Sequence, residues 1–475
     1  MNGALHDISL GDLAQASNGS LVGTDSKIRS VSTDSRSIAS GDVYFCLRGE
    51  NFDGHDYAQA SVAAGAVAIV CERCLDSGVA EVLVPDTRRA YGVLAMLWRK
   101  QLSVKLIGVT GSNGKTTVKQ LLKEVCAEAG SVQYTRANDN NDIGVPQTLL
   151  RIDQSHQFAV VEMGANQLGE IEWLGSISKP NVAIITNVSA SHIEGFGSLE
   201  SVCREKSAIY TSLAEDGVAI VNRDDQFADE WLRLNQNRSV ITFGSDVSAD
   251  VYAEQLSVSQ IRLHCQIDGC ESTIETQCNL VGAHNLLNIA AAAAAAMACG
   301  IDLAVVARGV SNAAPVKGRL NFHQLTGGLT LIDDTYNANP ASARAAIDVL
   351  ASVAAERWLV LADLKELGED AALHHTALGE FALEKSIDRL YATGELCRYT
   401  VKAFGDRAQW FDDKDGLLEQ LQQELDCRAD NTIDSMERDT VVLVKGSRSM
   451  AMNEVVDALQ ENFAKAAIKV AGEAL

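Results

Sequence analysis

The sequence predicts an α/β protein of three domains: a small N-terminal α/β unit, a central unit on a mostly parallel sheet, and a C-terminal unit of Rossmann-like strand–helix alternation. Three observations predict it. The 475 residues correspond to about three domains of roughly 150 residues. Near-continuous apolar runs recur between helical patterns, as strands buried on both faces of a parallel sheet do. The alternation restarts after Pro315-Val-Lys-Gly-Arg319, which reads as a hinge. The expected divisions are 1–86, 87–316 and 317–475.

In chain order, the N-terminal unit holds short β-like runs at Val43–Leu47 and Ala66–Val70, separated by loops rich in Asp, Ser and Gly. The central strands are expected at Val104–Thr110, Phe158–Met163, Val182–Val188 and Val218–Asn222, and the C-terminal ones at Leu329–Asp333, Trp358–Ala362, Arg389–Thr393 and Thr440–Val444. Between the two sets lies the longest apolar run, Ile289–Cys299. It is too short to cross a bilayer, and its alanines predict a buried, closely packed helix.

Composition excludes several function classes. Lys and Arg number 40 against 63 Asp and Glu, a net charge of −23. That argues against non-specific nucleic-acid binding, which needs a basic surface, but leaves room for a local basic pocket. The 11 cysteines are odd in number and scattered, as reduced thiols of a cytoplasmic protein are. The lone C-x-x-C at Cys71 and Cys74 reads as two half-buried thiols. Met1-Asn-Gly-Ala-Leu-His-Asp-Ile has neither a basic nor an apolar leader region, so neither secretion nor a membrane partner is expected.

Chemistry enters at Gly108-Val-Thr-Gly-Ser-Asn-Gly-Lys-Thr-Thr117. The segment follows an apolar strand and opens a helix, with Val118, Leu121, Leu122 and Val125 along one face. Small residues let backbone N–H groups curl around phosphate oxygens, and the helix N-terminus adds positive potential. Gly111, Ser112, Asn113, Gly114, Lys115, Thr116 and Thr117 are therefore the candidate ATP or GTP site, with Lys115 on the terminal phosphates and Thr116 on Mg²⁺. The usual G-x-x-x-x-G-K-[ST] spacing is not met, because Val109 stands where the first Gly belongs. The central domain is thus of the P-loop NTPase type with an unusual loop. Glu162 closes one strand and His192 follows another, so both are placed to reach a metal outside the carboxyl ends of the sheet.

Taken together, these segments resemble the Mur ligase and folylpolyglutamate synthase superfamily, whose loop reads T-G-[ST]-N-G-K-T. Asn138-Asp-Asn-Asn-Asp-Ile-Gly-Val-Pro146 resembles its substrate loop, and Val161-Glu-Met-Gly164 and Ser191-His192 its metal positions. Gly282-Ala-His-Asn-Leu-Leu-Asn288, Gly318-Arg319 and Val444-Lys-Gly-Ser-Arg448 resemble its adenine, phosphate and acceptor segments. Asp333-Asp-Thr-Tyr-Asn-Ala-Asn-Pro340, and Leu364-Lys-Glu-Leu-Gly368 with His375, resemble the member that adds D-alanyl-D-alanine. Leu364 replaces the usual Met, a mild swap. The diaminopimelate-adding member carries Asp-Asn-Pro-Arg, absent here; a diaminopimelate or lysine ligase and a non-catalytic nucleotide-binding homologue are the alternatives. Thr33-Asp-Ser-Arg36 and Arg48–His55 resemble a uridine-nucleotide domain that folylpolyglutamate synthases lack.

The resemblance implies a monomeric cytoplasmic ligase that uses ATP and Mg²⁺. It would join D-alanyl-D-alanine to UDP-N-acetylmuramoyl-tripeptide through an acyl phosphate, in cell-wall precursor synthesis. It implies Lys115, Lys206, His192 and Arg319 as catalytic, with Thr116, Glu162, His192 and a modified Lys206 at the metal. Asn285 and Asn288 would read adenine, Asp334 would hold ribose, and Arg319 the γ-phosphate. Ser35, Arg36 and Asn141 would meet the nucleotide substrate, and Lys445, Ser447 and Arg448 the dipeptide.

Overall fold

The computed structural model describes Leu5 and residues 7–190, 193–430 and 439–473. Three sheets follow one another along the chain. The first contains β1 (Ser20–Val22), β2 (Ser30–Ser32), β3 (Asp42–Phe45), β4 (Ala68–Cys71) and β5 (Ala80–Leu83) in the order β1-β5-β4-β3-β2. Only β1 runs antiparallel to its neighbour.

The second sheet comprises β6 (Lys105–Thr110), β7 (Val132–Tyr134), β8 (Phe158–Glu162), β9 (Val182–Ile185), β10 (Val218–Asn222), β11 (Val240–Gly244), β12 (Val251–Ser257), β13 (Gln260–Ile267) and β14 (Cys270–Gln277). Their order is β14-β13-β12-β11-β10-β9-β6-β8-β7. The sheet is parallel from β7 to β12 and antiparallel through β13 and β14. Later strands lie on both sides of β6, so the loop after β6 opens where the strand order reverses, the usual place for a ligand. The third sheet, β15 (Asn321–Gln324), β16 (Leu329–Asp334), β17 (Glu356–Ala362), β18 (Arg389–Thr393), β19 (Ala408–Phe411) and β20 (Thr440–Lys445), is ordered β15-β16-β20-β17-β18-β19. It is parallel apart from its β15 edge.

All the expected strands are present within a few residues. Sequence reading misses β12 to β14, because strands with one wetter face alternate instead of forming apolar runs; β13 alternates buried with half-buried residues and β14 is mostly exposed. The expected strand to Val188 ends at Ile185, and the next residues turn toward the phosphate loop.

Helix Thr87–Arg99 packs between the first sheet and the second, so their buried side chains form one continuous core. On the other face of the second sheet lies helix Ala283–Ala298. Its Ala290–Ala296 are wholly buried against the helix that follows the phosphate loop and against β9 to β12. Short side chains allow that close approach, as the composition predicts. No helix among the described residues is long and apolar enough to cross a membrane.

Gly309, in helix Leu303–Asn312, marks a tight helix contact: a Cβ there would meet the Val125 Cα at 2.4 Å. Helix propensity alone would favour Gly309→Ala by about 1 kcal/mol. Overpacking against backbone costs about 1–3 kcal/mol, and here the neighbour cannot swing away. Gly309→Ala is therefore expected to lower the thermal midpoint; a raised midpoint would mean that the two helices part freely.

Candidate active site

The loop after β6 is shaped by two glycines. Gly111 has φ +145° and Gly114 φ +83°. A Cβ on Gly111 would lie 1.9 Å from Thr186 Oγ1, and one on Gly114 2.3 Å from Asn288 Oδ1. Only glycine admits both the conformation and the approach. No side chain caps helix Lys115–Ala129, so its first amides are left for an anion. The loop is braced from the end of β9. Ser112 N–H donates to Asn187 O (2.8 Å), Asn113 N–H to Asn187 Oδ1 (3.1 Å), and Asn113 Nδ2 to Ser189 Oγ (2.9 Å).

Lys115 folds back on this loop, donating to Gly111 O at 2.6 Å and Ser112 O at 3.1 Å. Burial lowers its pKa to about 8; Glu162 opposes the shift and Arg319 adds to it. The ammonium borrows carbonyls from its own loop, as a cation poised for phosphate oxygens does.

Glu162, 1% exposed at the end of β8, accepts at Oε1 from Asn140 Nδ2 (2.9 Å) and from the Thr116 hydroxyl (3.3 Å). Its Oε2 lies 3.1 Å from Lys119 Nζ yet takes no hydrogen bond. A buried carboxylate beside a threonine hydroxyl, its charge met here by Lys119, offers hard oxygen donors of the kind Mg²⁺ takes. Lys206, on helix Leu199–Thr211, is 2% exposed and has no hydrogen-bond or ion-pair partner among the described residues. Burial, then the nearby Lys115, lowers its pKa to about 7. The fourth expected metal residue, His192, lies outside the described residues.

Two cavities meet at the phosphate loop. The smaller, about 300 Å³, runs from Asn113, Gly114 and Thr117 past Asn285, Asn288 and His284 to Asp334 and Lys445. The larger, about 620 Å³, is lined by Ser112, Lys115, Thr116, Asn141, Glu162 and Lys206 on one side and by Tyr336, Lys365, Ser447 and Arg448 on the other. Arg319 lines both. Its guanidinium lies 4.4 Å from the centre of the Tyr336 ring, and that of Arg448 lies 4.9 Å from the same ring. Asn339 Nδ2 donates to Asn113 Oδ1 at 2.7 Å, tying the C-terminal unit to the phosphate loop.

Lys445, expected with Ser447 and Arg448 on the dipeptide, lines the smaller cavity, while those two line the larger. Its ammonium, 2% exposed, is paired with Asp334 Oδ2 at 2.5 Å and donates to Asn337 O at 3.1 Å. These bonds hold the loop after β16. Ser35 and Arg36 line neither cavity. They sit on the turn Ser35–Ser37, where Arg36 pairs with its own neighbour Asp34 at 2.8 Å.

Asn140, Lys119, Tyr336 and Lys365 were not singled out from sequence. Lys119 had a signal: it lies one helical turn beyond Lys115 and so on the same face. Asn140 adjoins Asn141 in the chain, while Tyr336 and Lys365 stand inside motifs already noted.

Residues 109–296 match the model of the Mur ligase middle domain, 318–448 that of the Mur ligase, glutamate ligase domain, and 27–95 that of the Mur ligase family, catalytic domain. The chain is 38% identical over 456 residues to the UDP-N-acetylmuramoyl-tripeptide--D-alanyl-D-alanine ligase of Escherichia coli (strain K12), covering 96% of this chain and 99% of that relative. It superposes with a TM-score of 0.86 on MurF from Acinetobacter baumannii, at 34% identity over 94% of this chain and 98% of that one. MurF from Thermotoga maritima in complex with ADP gives 0.79 at 26% identity, over 92% and 98%.

Removing one partner of the buried Asp334–Lys445 pair strands the other charge, which costs about 3–5 kcal/mol. Asp334→Ala is expected to lose that much in denaturant unfolding. The double variant Asp334→Leu/Lys445→Met, which removes both charges, should lose less. Equal losses would show that the ions do not depend on each other.

Proposed function

The chain belongs to the Mur ligase family, and on that premise we propose how its own residues carry the family's reaction. It has the family's three-domain α/β fold. It is an ATP-dependent amide-bond-forming ligase that adds D-alanyl-D-alanine to UDP-N-acetylmuramoyl-tripeptide in peptidoglycan synthesis. One observation in the site carries the chemistry: the phosphate loop opens on a cavity lined by asparagines on one side and, on the other, on a larger cavity shared with Ser447 and Arg448. ATP and an acceptor therefore reach the same cations from opposite sides. We propose further that the products are the pentapeptide precursor, ADP and phosphate, and that the enzyme acts as a monomer in the cytoplasm.

A carboxylate resists amines because oxide is a poor leaving group. We assign a first step in which the tripeptide carboxylate attacks the γ-phosphorus of ATP and ADP leaves, giving an acyl phosphate. The dipeptide amine then attacks the carbonyl, loses a proton and expels phosphate. Lys115 and the open amides of its helix hold the β- and γ-phosphates, and Arg319, steadied on Tyr336, follows the transferring phosphoryl group. Asn285 and Asn288 face adenine and Asp334 the ribose. Ser35, Arg36 and Asn141 are assigned to the nucleotide-sugar substrate. The dipeptide carboxylate falls to Ser447 and Arg448, with Lys365 beside them.

Thr116, Glu162 and Lys206, with His192 by resemblance, are the residues assigned to Mg²⁺. Bound there, Mg²⁺ would neutralise charge on the phosphate oxygens. A bare ammonium at Lys206 would oppose that, so we assign Lys206 a carbamate. Its neutral amine adds to CO₂ and releases a proton, giving an anion with two hard oxygens. A buried amine with no hydrogen-bond or ion-pair partner among the described residues, and a lowered pKa, is disposed to react so.

Phosphate release is expected only when ATP, the tripeptide substrate and D-alanyl-D-alanine are all present. L-lysine, diaminopimelate and glutamate should not replace the dipeptide, and product mass checks this. Lys115→Ala should lower kcat roughly 10²–10³-fold, the loss expected for one transition-state donor. A variant within a few-fold of the parent would remove the loop from the chemistry.

Lys206→Ala is expected to lose most activity and to regain part of it with excess acetate or formate. The absence of rescue by any short acid, together with a bare ammonium at Lys206 in a nucleotide-bound crystal structure, would return Lys206 to the role of a charge partner.

A further inference from the structure

The segment after β17 forms one wall of the larger cavity, where Lys365, Glu366 and Leu367 face Ser447 and Arg448. Its backbone is not self-supporting: Glu366 has φ +63° and Gly368 φ +65°, and the former is costly for a residue with a side chain. Side chains hold it instead. The Asp363 carboxylate, 1% exposed, accepts from Cys397 N–H and from Lys365 Nζ, both at 2.9 Å. Ser447 Oγ accepts from Lys365 N–H at 2.8 Å. The amide between these anchors, that of Leu364, donates to His375 Nε2 at 3.1 Å.

His375 is wholly buried in helix Ala371–Glu384, and its Nδ1 lies 2.8 Å from Ala371 O. A carbonyl only accepts, so Nδ1 carries the hydrogen. An amide only donates, so Nε2 is bare. The contacts thus force one neutral tautomer, which burial also favours by lowering the pKa. The ligand atoms of Asp363, His375 and Cys397 lie within 4.8 Å of one another, a spacing open to a metal. The imidazole has no lone pair left for one.

We propose that His375 is a positioning residue for acceptor recognition: its bare Nε2 fixes the Leu364 amide and, through it, the cavity wall at 365–367. This rests on the reading that the dipeptide binds between that wall and Arg448. Loss of one buried hydrogen bond, about 1.4 kcal/mol, corresponds to roughly tenfold.

The test uses the full-length enzyme at saturating ATP and tripeptide substrate, with D-alanyl-D-alanine varied. His375→Leu should raise the dipeptide KM about tenfold, leave kcat and ADP affinity little changed, and speed amide hydrogen exchange in peptides spanning 363–368. His375→Gln, whose amide oxygen reaches the Nε2 position, should restore KM; His375→Asn, which is too short, should not. The Gln and Asn pair decides the matter if the Leu variant fails to fold. An unchanged dipeptide KM in His375→Leu, or a Gln variant no better than Asn, overturns the proposal. Arg448→Ala separates the two levels. If it leaves the dipeptide KM unchanged, the acceptor site itself is misplaced. If it raises that KM while the His375 variants do not, the positioning role alone fails.

Discussion

The ion pair between Asp334 and Lys445 organises the C-terminal half of the site. The two residues stand opposite each other at the carboxyl ends of adjacent parallel strands, β16 and β20, and both are buried. Two charges removed from water need further partners, because their mutual attraction alone does not offset desolvation. Lys445 finds them in the loop after β16, at Asn337 O, while Asp334 Oδ1 accepts from Leu320 N–H at 3.2 Å. The same loop then presents Tyr336 to Arg319 and Arg448, offers Asn337 Oδ1 to the Arg448 amide at 3.2 Å, and sends Asn339 across to Asn113. A pair that stabilises little by itself thus sets the positions of two guanidiniums and one contact between units.

The phosphate loop answers to a different constraint, close approach. Gly111 lies against Thr186 and Gly114 against Asn288, so the loop is wedged between the end of β9 and the alanine-rich helix. That helix comes near enough because its buried residues from Ala290 to Ala296 carry only methyl groups. The asparagines at its N-terminal end, Asn285 and Asn288, therefore reach the cavity beside the loop. One packing arrangement thus sets both the loop and the asparagines beside it.

Charge is distributed against the grain of the molecule. A chain of net charge −23 gathers Lys115, Arg319, Lys365 and Arg448 around a single cavity. Acidic surroundings keep other polyanions away, while the cavity attracts phosphate and carboxylate groups at short range. An ionic link also joins the first two units: Arg88, on the helix between their sheets, grips Asp142 with two bonds of 2.7 and 2.8 Å. Asp142 stands beside Asn140 and Asn141, so the proposed metal residue Glu162 is connected to the N-terminal unit through a short chain of contacts.

By itself the sequence determined whatever depends on neighbours along the chain. Strands buried on both faces leave unbroken apolar runs, so most of the parallel strands were legible. A phosphate loop is one contiguous stretch of small residues between strand and helix, so Gly111 to Thr117 were legible with it. Glu162 could be read from its place at a strand end, and the alanine run announced a tightly packed helix. Tertiary structure alone decided what depends on register and on contacts through space. It matched Lys445 with Asp334, 111 residues away, although the chain sets it beside Ser447 and Arg448. It placed Lys119 and Asn140 around one carboxylate, and it chose the tautomer of His375 by setting an amide on one nitrogen and a carbonyl on the other. A side chain's motif shows which chemistry it has to offer; which partner consumes that chemistry is set by the atoms that folding brings within about 3 Å.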